Sequence, residues 1–500
     1  MNTVRALIER AAAAQPDAVY ALATERDASL DYRSLLASCR RLAALFDAHG
    51  IAPGQTVSLV MPNGLATLRV LLGALWAGRC VNPVNLLAQP EQMRYVLEHS
   101  DCRAAFVAPE WEGRVRDMLA GIGRPIALVV VDADADQLPG EDPEADAPPP
   151  SPDDLALLMY TSGTTGRPKG VMLTQANLAA NAAAIAAEHE LAPGDRVLGV
   201  LPLYHINAFA VTMLAPLASR GSVAMAPKFS AARFWAQAAA ARCTWLNVVP
   251  TIVSYLLEGE KPPRDTLRPL RFCRSASAAL PPEHLRSFEQ KFGVGVVETM
   301  GLTETVAPSF SNPLEPSLRK LGSVGRASGC EARIIDAALQ PVPDGSTGEI
   351  AIRGPNVMRG YYKNPEATAA AFTPDGWLRT GDLGHRDSDG FFFVTGRIKE
   401  LIIKGGENIA PREIDEALLT HPAVADAAAV GMPDAHYGQE ILACVVLRAE
   451  ANCSEDDLRE HCRRELGPYK TPRLIRFVSD LPRGPSGKVQ RLKLLEPPAA

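Results

Sequence analysis

Short apolar runs alternate with segments whose apolar positions recur every three or four residues. Val57-Ser-Leu-Val-Met61 reads as a strand ending at Pro62-Asn63-Gly64, residues 65–75 as a helix, and Arg79-Cys-Val-Asn-Pro83 as a second buried strand. Before them, residues 32–46 are apolar at helical spacing and stop near Gly50. Leu155-Ala-Leu-Leu-Met-Tyr160 is another short strand, as are an apolar run from Val197 that breaks at Pro202, a run from Trp245 ending in a polar turn, and a run from Phe272 closing on small residues. Strand–helix–strand at this spacing predicts an α/β fold with parallel, doubly wound sheets. From Gly325 to Arg353 the pattern changes to short strands and turns such as Pro343-Asp344-Gly345, which predicts a small β-barrel subdomain. Beyond it, a helix at 411–419 and strands at 425–430 and 441–447 predict a small α+β domain. Residues 132–154 are acidic and proline-rich without periodicity, and read as a surface connection.

Five hundred residues exceed what one hydrophobic core usually serves, so two or more domains are expected. The 47% hydrophobic and 22% charged residues are those of a globular enzyme. A net charge of −6 gives no reason to expect nucleic acid or an anionic membrane as partner. The N-terminus carries charges where a signal peptide needs an apolar core, and no run reaches the ~20 apolar residues of a membrane span. Nine cysteines without a Cys-x-x-Cys pair argue for reduced, mostly buried thiols. A cytoplasmic protein, monomeric or homodimeric, is the expectation.

The chemistry concentrates first in Tyr160-Thr-Ser-Gly-Thr-Thr-Gly-Arg-Pro-Lys-Gly-Val171. It sets Thr161, Ser162, Gly163, Thr164, Thr165, Gly166 and Lys169 between a strand and an alanine-rich helical run, for which Thr174 is placed as the cap. Glycines let backbone N–H groups turn toward an anion, hydroxyls donate further hydrogen bonds, and the lysine adds a point charge: a means of holding phosphate. Arg167-Pro168 separates Gly166 from Lys169, so this is not a Walker loop.

That segment resembles the phosphate-binding signature of the adenylate-forming superfamily, in its acyl-CoA synthetase and acid–CoA ligase branch, and the resemblance extends over nearly the whole chain. It implies ATP, Mg2+ and coenzyme A as co-substrates and cofactor, a large domain over 1–396, and a mobile C-terminal lid over 397–500. Glu298-Thr-Met-Gly-Leu-Thr-Glu-Thr305 is similar to the family's second signature, which implies Thr303 at the α-phosphate and Glu304, with Thr161, at the metal. Met300 stands where the family has an aromatic that stacks on adenine, and a thioether can still pack on a ring face. Gly376-Trp-Leu-Arg-Thr-Gly-Asp382 matches the motif whose aspartate binds both ribose hydroxyls. Arg397 matches a nucleotide-contacting arginine and Lys399 a hinge; Lys404, Gly405 and Gly406 match the loop that lines the pantetheine tunnel. Lys488 matches the catalytic lysine.

The acid site is implied less directly. Ser277 and Ala278 are expected beside the nucleotide, and His205, Asn207, Phe209, Asn247, Thr251, Ser275, Ala276, Gly301 and Val306 beside the acyl group, His205 with a catalytic share. Residues 229–235, Thr244-Trp245 and Arg274-Ser275 look more like ligases of small polar or dicarboxylic acids than of fatty acids. The reading is an ATP-dependent acid–CoA ligase on a small polar, dicarboxylic or medium-size acid. The alternative is a stand-alone adenylation enzyme charging a carrier protein.

Overall fold

A computed structural model describes residues 2–138, 146–161, 167–484 and 489–496. Two parallel-rich sheets form the large domain, as the alternating pattern predicts. In the larger, the strands run Arg326–Ala327, Phe310–Ser311, Val296–Met300, Phe272–Ser275, Trp245–Val248, Arg196–Gly199, Ser222–Met225, Val19–Ala23 and Ser29–Asp31. The six from Val296–Met300 to Val19–Ala23 are parallel; the edges are antiparallel. The second sheet has seven strands, with Thr56–Val60 flanked by Cys80–Pro83 and Ala104–Val107, and with Leu155–Thr161 and Lys169–Thr174 pairing antiparallel near one edge. Inner strands such as Thr56–Val60 and Trp245–Val248 are buried at every residue. That is why they read as continuous apolar runs: helices cover both faces of a parallel sheet.

Local signals set most boundaries. Asp31 caps the helix Tyr32–Ala48 by accepting from the Ser34 N–H, and Thr174 caps Gln175–Glu188 in a reciprocal box with Asn177. Two expectations are corrected. The polar turn after Trp245–Val248 is the first turn of a helix, Pro250–Glu258, begun by a proline whose missing N–H costs nothing at that position. The acidic, proline-rich connection is not a loose surface strap in its described parts. Ala133, Leu138 and Ala147 are buried in the main core, and the Ala133 carbonyl accepts from the Ala66 N–H at 2.9 Å. Its few apolar residues, hidden among acidic ones, do the packing.

The small β subdomain is built on a four-stranded antiparallel sheet of Glu331–Ile335, Gly348–Arg353, Leu378–Arg386 and Phe392–Arg397. The C-terminal domain has its own sheet, with the long antiparallel pair Val424–Asp434 and Gly438–Leu447 at its centre. Helices Pro411–Leu419 and Glu455–Leu466 cover it, closing a separate core around Ile414, Leu418, Ile441 and Leu458. All nine cysteines are free and seven are buried. No helix among the described residues is long and apolar enough to cross a membrane.

The cap at Thr174 yields a test. Thr174→Ala removes the acceptor for the Asn177 N–H and should destabilise that helix end by about 1 kcal/mol. Faster amide exchange over 175–179, with the rest of the chain unaffected, is the expected reading; unchanged exchange there would rule out the capping role.

Candidate active site

Four neighbouring parallel strands, Arg196–Gly199, Trp245–Val248, Phe272–Ser275 and Val296–Met300, run the same way and deliver the residues after them to one edge. Facing that edge, between the two domains, lies a cavity of about 260 Å³. On the large-domain side Thr251, Ser277, Ala278, Glu298, Met300 and Gly301 line it, with Asp382 and Arg397 at the junction. The small domain contributes Arg412, Asp415, Arg483, Val489 and Arg491.

Asp382 and Arg397 are partners across the last two strands of the β subdomain. Arg397 Nε donates to Asp382 Oδ1 at 2.6 Å, and Nη2 reaches Oδ2 at 3.4 Å. Burial alone would lower the guanidinium's pKa, but the charge and hydrogen bond of Asp382, with the charges of Glu400 and Glu304, together outweigh it and the result is raised. Two residues in left-handed backbone follow adjacent strands: Ser277 at φ +75 and Val306 at φ +59. Such strain in a β-branched residue persists only where its surroundings over-determine it. Asn181 Nδ2 donates to the Val306 carbonyl at 2.6 Å and Asn356 Nδ2 to that of Thr305 at 3.0 Å, which supplies that constraint. At Gly301 a Cβ would come within 2.7 Å of the Ala307 and Pro308 backbone, so only glycine fits there.

Thr303 and Glu304 lie in a single 3-10 turn, Thr303–Thr305. Glu304 Oε1 accepts from the Tyr361 hydroxyl at 2.8 Å, and Lys169 Nζ sits 4.2 Å over the Tyr361 ring. Thr161 pairs with Lys169 across the strands on either side of residues 162–166. Tyr361 therefore joins the two signatures, a role no sequence motif announces. Burial and then Glu304's charge push its phenol above the ordinary value. Ser162, Gly163, Thr164, Thr165, Gly166 and Lys488 lie outside the described residues. Of the described residues on either side of 485–488, Arg483 bridges Val489 and pairs with Asp426, while Arg491 pairs with Asp415 and donates to the Ala429 carbonyl at 2.7 Å.

The acid-side residues divide. Thr251 and Gly301 line the cavity. Phe209 is wholly inside the main core, while Ser275, Ala276 and Val306 are buried. His205 follows Pro202 in a turn, its ring 4.7 Å from that of Tyr204. It leads into a π-helix, Asn207–Leu214, a winding often found at functional sites. Asn207 Nδ2 donates to Ser277 Oγ at 3.2 Å, and Asn247 Nδ2 to Asn207 Oδ1 at 3.3 Å and Thr212 Oγ1 at 3.1 Å. Behind both asparagines lies Arg274, fully buried. Lys404, Gly405 and Gly406 are not among the cavity-lining residues. Lys404 is buried in the small domain, paired with Glu440 at 3.0 Å and donating to the Tyr469 carbonyl at 3.0 Å. Gly405 and Gly406, at φ +55 and +88, form the hairpin turn between Ile402–Lys404 and Glu407–Ile409.

Against known proteins, residues 8–362 match the family model for AMP-binding enzymes and residues 413–488 that for the C-terminal domain of those enzymes. The chain belongs to the AMP-binding enzymes. It is 56% identical over 498 residues to a sulfoacetate–CoA ligase of Cupriavidus necator, covering 99% of this chain and 97% of that one. An oxalate–CoA ligase of Arabidopsis thaliana is 36% identical, covering 98% and 97%. ATP-bound MatB from Rhodopseudomonas palustris superposes with a TM-score of 0.91 at 31% identity, covering 99% and 98%.

Glu298 is a cavity residue that the motif reading of this family's second signature did not single out. It is buried, accepts from the Leu280 N–H at 3.2 Å, and its carboxyl is pushed up to about 7, chiefly by burial and against the pull of Arg412. A raised acid binds its proton more tightly folded than unfolded, so the cost to stability is absent below the unfolded value near 4.5, grows up to about 7 and is full above it. At 1.36 kcal/mol per unit that cost is about 3 kcal/mol. Glu298→Gln keeps the acceptor and removes the charge; it should raise the melting temperature relative to wild type at pH 8 more than at pH 5. An offset identical at both pH values would contradict the buried-charge account.

Proposed function

We propose that this protein is an ATP-dependent acid–CoA ligase that acts on a small acid carrying a second negative charge, of the sulfoacetate class. The observation that carries this reading is the 56% identity with a sulfoacetate–CoA ligase over 99% of the chain. The polar chain of Asn247, Asn207 and Ser277, which reaches the cavity wall at Ser277, supports it, since a site for a long alkyl chain needs an apolar lining.

In this reading the acid's carboxylate oxygen attacks the α-phosphorus of ATP, pyrophosphate leaves, and an acyl-adenylate forms. The thiol of CoA then attacks the acyl carbon, AMP departs with the bond electrons, and the thiol proton goes to solvent. Catalysis is placement and charge neutralisation. We assign Asp382 to the ribose hydroxyls, Arg397, Met300, Ser277 and Ala278 to the nucleotide, and Thr161, residues 162–166, Lys169 and Thr303 to the phosphates. Glu304, already held by Tyr361, suits Mg2+, which takes one or two carboxylates and leaves its other positions to water and phosphate; no cluster of three metal-ligating side chains occurs among the described residues. When bound, Mg2+ offsets phosphate charge. His205 and Thr251 are assigned to the acid and Lys488 to the α-phosphate. We take 1–396 and 397–500 as the two moving bodies, hinged at Lys399, with Lys404, Gly405 and Gly406 brought to the pantetheine passage in the second step. The cytoplasm is the proposed compartment.

Lys488→Ala should cut acid-dependent pyrophosphate release by at least about a hundredfold. Conversion of supplied acyl-adenylate and CoA to thioester should stay near wild type. Equal slowing of both half-reactions would contradict the assignment, and transfer to a phosphopantetheinyl protein but not to CoA would move the enzyme to the carrier-charging class.

A further inference from the structure

Arg274 is a buried cation without a counter-ion among the described residues. It projects from the strand Phe272–Ser275, is 0% exposed, and uses Nη1 alone, donating to Asn207 Oδ1 at 2.7 Å and to Asn247 Oδ1 at 2.8 Å. Nε and Nη2 have no hydrogen-bond partner among the described residues. Both of its partners are neutral carboxamides. Burial lowers its pKa to about 9, which still leaves it charged at neutral pH. Nearby, His189 is equally buried and held down to about 3 by burial and then by the charges of Arg274 and Arg271, so it supplies no compensating charge.

Buried charges are normally paired, because desolvation is costly and neutral groups repay it only in part. The other fully buried arginine, Arg79, reaches Asp47 at 2.6 Å. Arg274 differs, and the difference points toward the cavity. Its Nη1 binds the carbonyl oxygen of Asn207, which fixes the carboxamide with its NH2 outward, toward Ser277. Ser277 lines the cavity from a left-handed turn. A relay therefore runs from an unneutralised cation through Asn207 to Ser277 and the cavity wall.

We propose that Arg274 is the positioning residue that makes this site select acids with a second anionic group, a sulfonate or a carboxylate one carbon or less from the reacting carboxylate. The inference rests on the ligase reading above and adds the group that enforces it. Held by Arg274, Asn207 presents donors of fixed direction backed by a positive charge, and the second oxyanion of the acid supplies the charge the protein leaves unpaired. A monoanionic acid of similar size leaves the cation uncompensated and binds without that gain.

The test compares sulfoacetate and oxalate with propionate in CoA-thioester formation by wild type, Arg274→Met and Arg274→Lys. Wild type should prefer the dianions. Arg274→Met should lose about a hundredfold or more in kcat/KM for them, with the value for propionate changed by less than about threefold and KM for ATP unaltered. Arg274→Lys, which keeps the charge but not the fork, should recover part of the dianion preference. An equal loss for dianions and propionate, or no loss, would overturn the proposal. If Arg274→Met fails to fold, wild type alone decides with methylsulfonylacetate, which matches sulfoacetate in shape with one charge fewer: strong discrimination supports the proposal and equal use overturns it. Wild type that ligates no dianion overturns the ligase reading and this inference together. Wild type that does so, beside an Arg274→Met variant that keeps the same dianion preference, overturns the inference alone.

Discussion

A strand in a parallel sheet must be followed by a crossover before the next can begin, so the C-terminal ends of neighbouring strands collect at one edge. Here that edge brings together loops that begin near positions 200, 249, 276 and 301 in the sequence. Everything else around the cavity depends on it. The Asp382–Arg397 pair closes the arrangement from the other side, tying together the last two strands of the β subdomain where they meet the small domain. Arg412 carries the closure onward: it donates to the Val394 carbonyl at 2.7 Å, and its charge is the strongest acting on the Glu298 carboxyl.

Much of this was legible in the sequence, for physical reasons. Buried parallel strands are mostly apolar, so Val57–Met61 and Leu155–Tyr160 are legible as strands, and the helix Pro411–Leu419 carries its start in a proline and its face in Ile414 and Leu418. Asp382 and Arg397 could each be named from a motif, although their mutual contact depends on cross-strand register. What stayed hidden depends on side chains meeting across long separations. Tyr361 reaches Glu304 from 57 positions away, and nothing in the run around it marks the contact. Arg491 sits three residues beyond Lys488 but takes its meaning from Asp415, 76 positions back. Lys404 could likewise be named from its motif position, whereas its pairing with Glu440, 36 positions on, has no mark in the sequence.

The site also keeps two buried ionisable groups without full compensation. Glu298 meets its cavity with one backbone N–H, and Arg274 meets the acid side with two carboxamides. Folding alone gives no reason to retain either, because a neutral residue of similar shape would be at least as stable in each place. Their presence near one cavity, Glu298 in its wall and Arg274 behind Asn207, which bonds the wall residue Ser277, fits a site that is completed by a polar ligand, in which electrostatic demands outweigh those of packing.

The central claim is that the acid's own oxygen attacks the α-phosphorus. Oxygen-18 in the carboxylate of the acid tests it directly. After turnover with unlabelled ATP and CoA, mass spectrometry of the nucleotide product should find one labelled oxygen in AMP per thioester formed, and none in pyrophosphate. Label-free AMP, or label in ADP or inorganic phosphate, would mean that the carboxylate is activated by some other route and that the cavity between the domains is not an adenylation site.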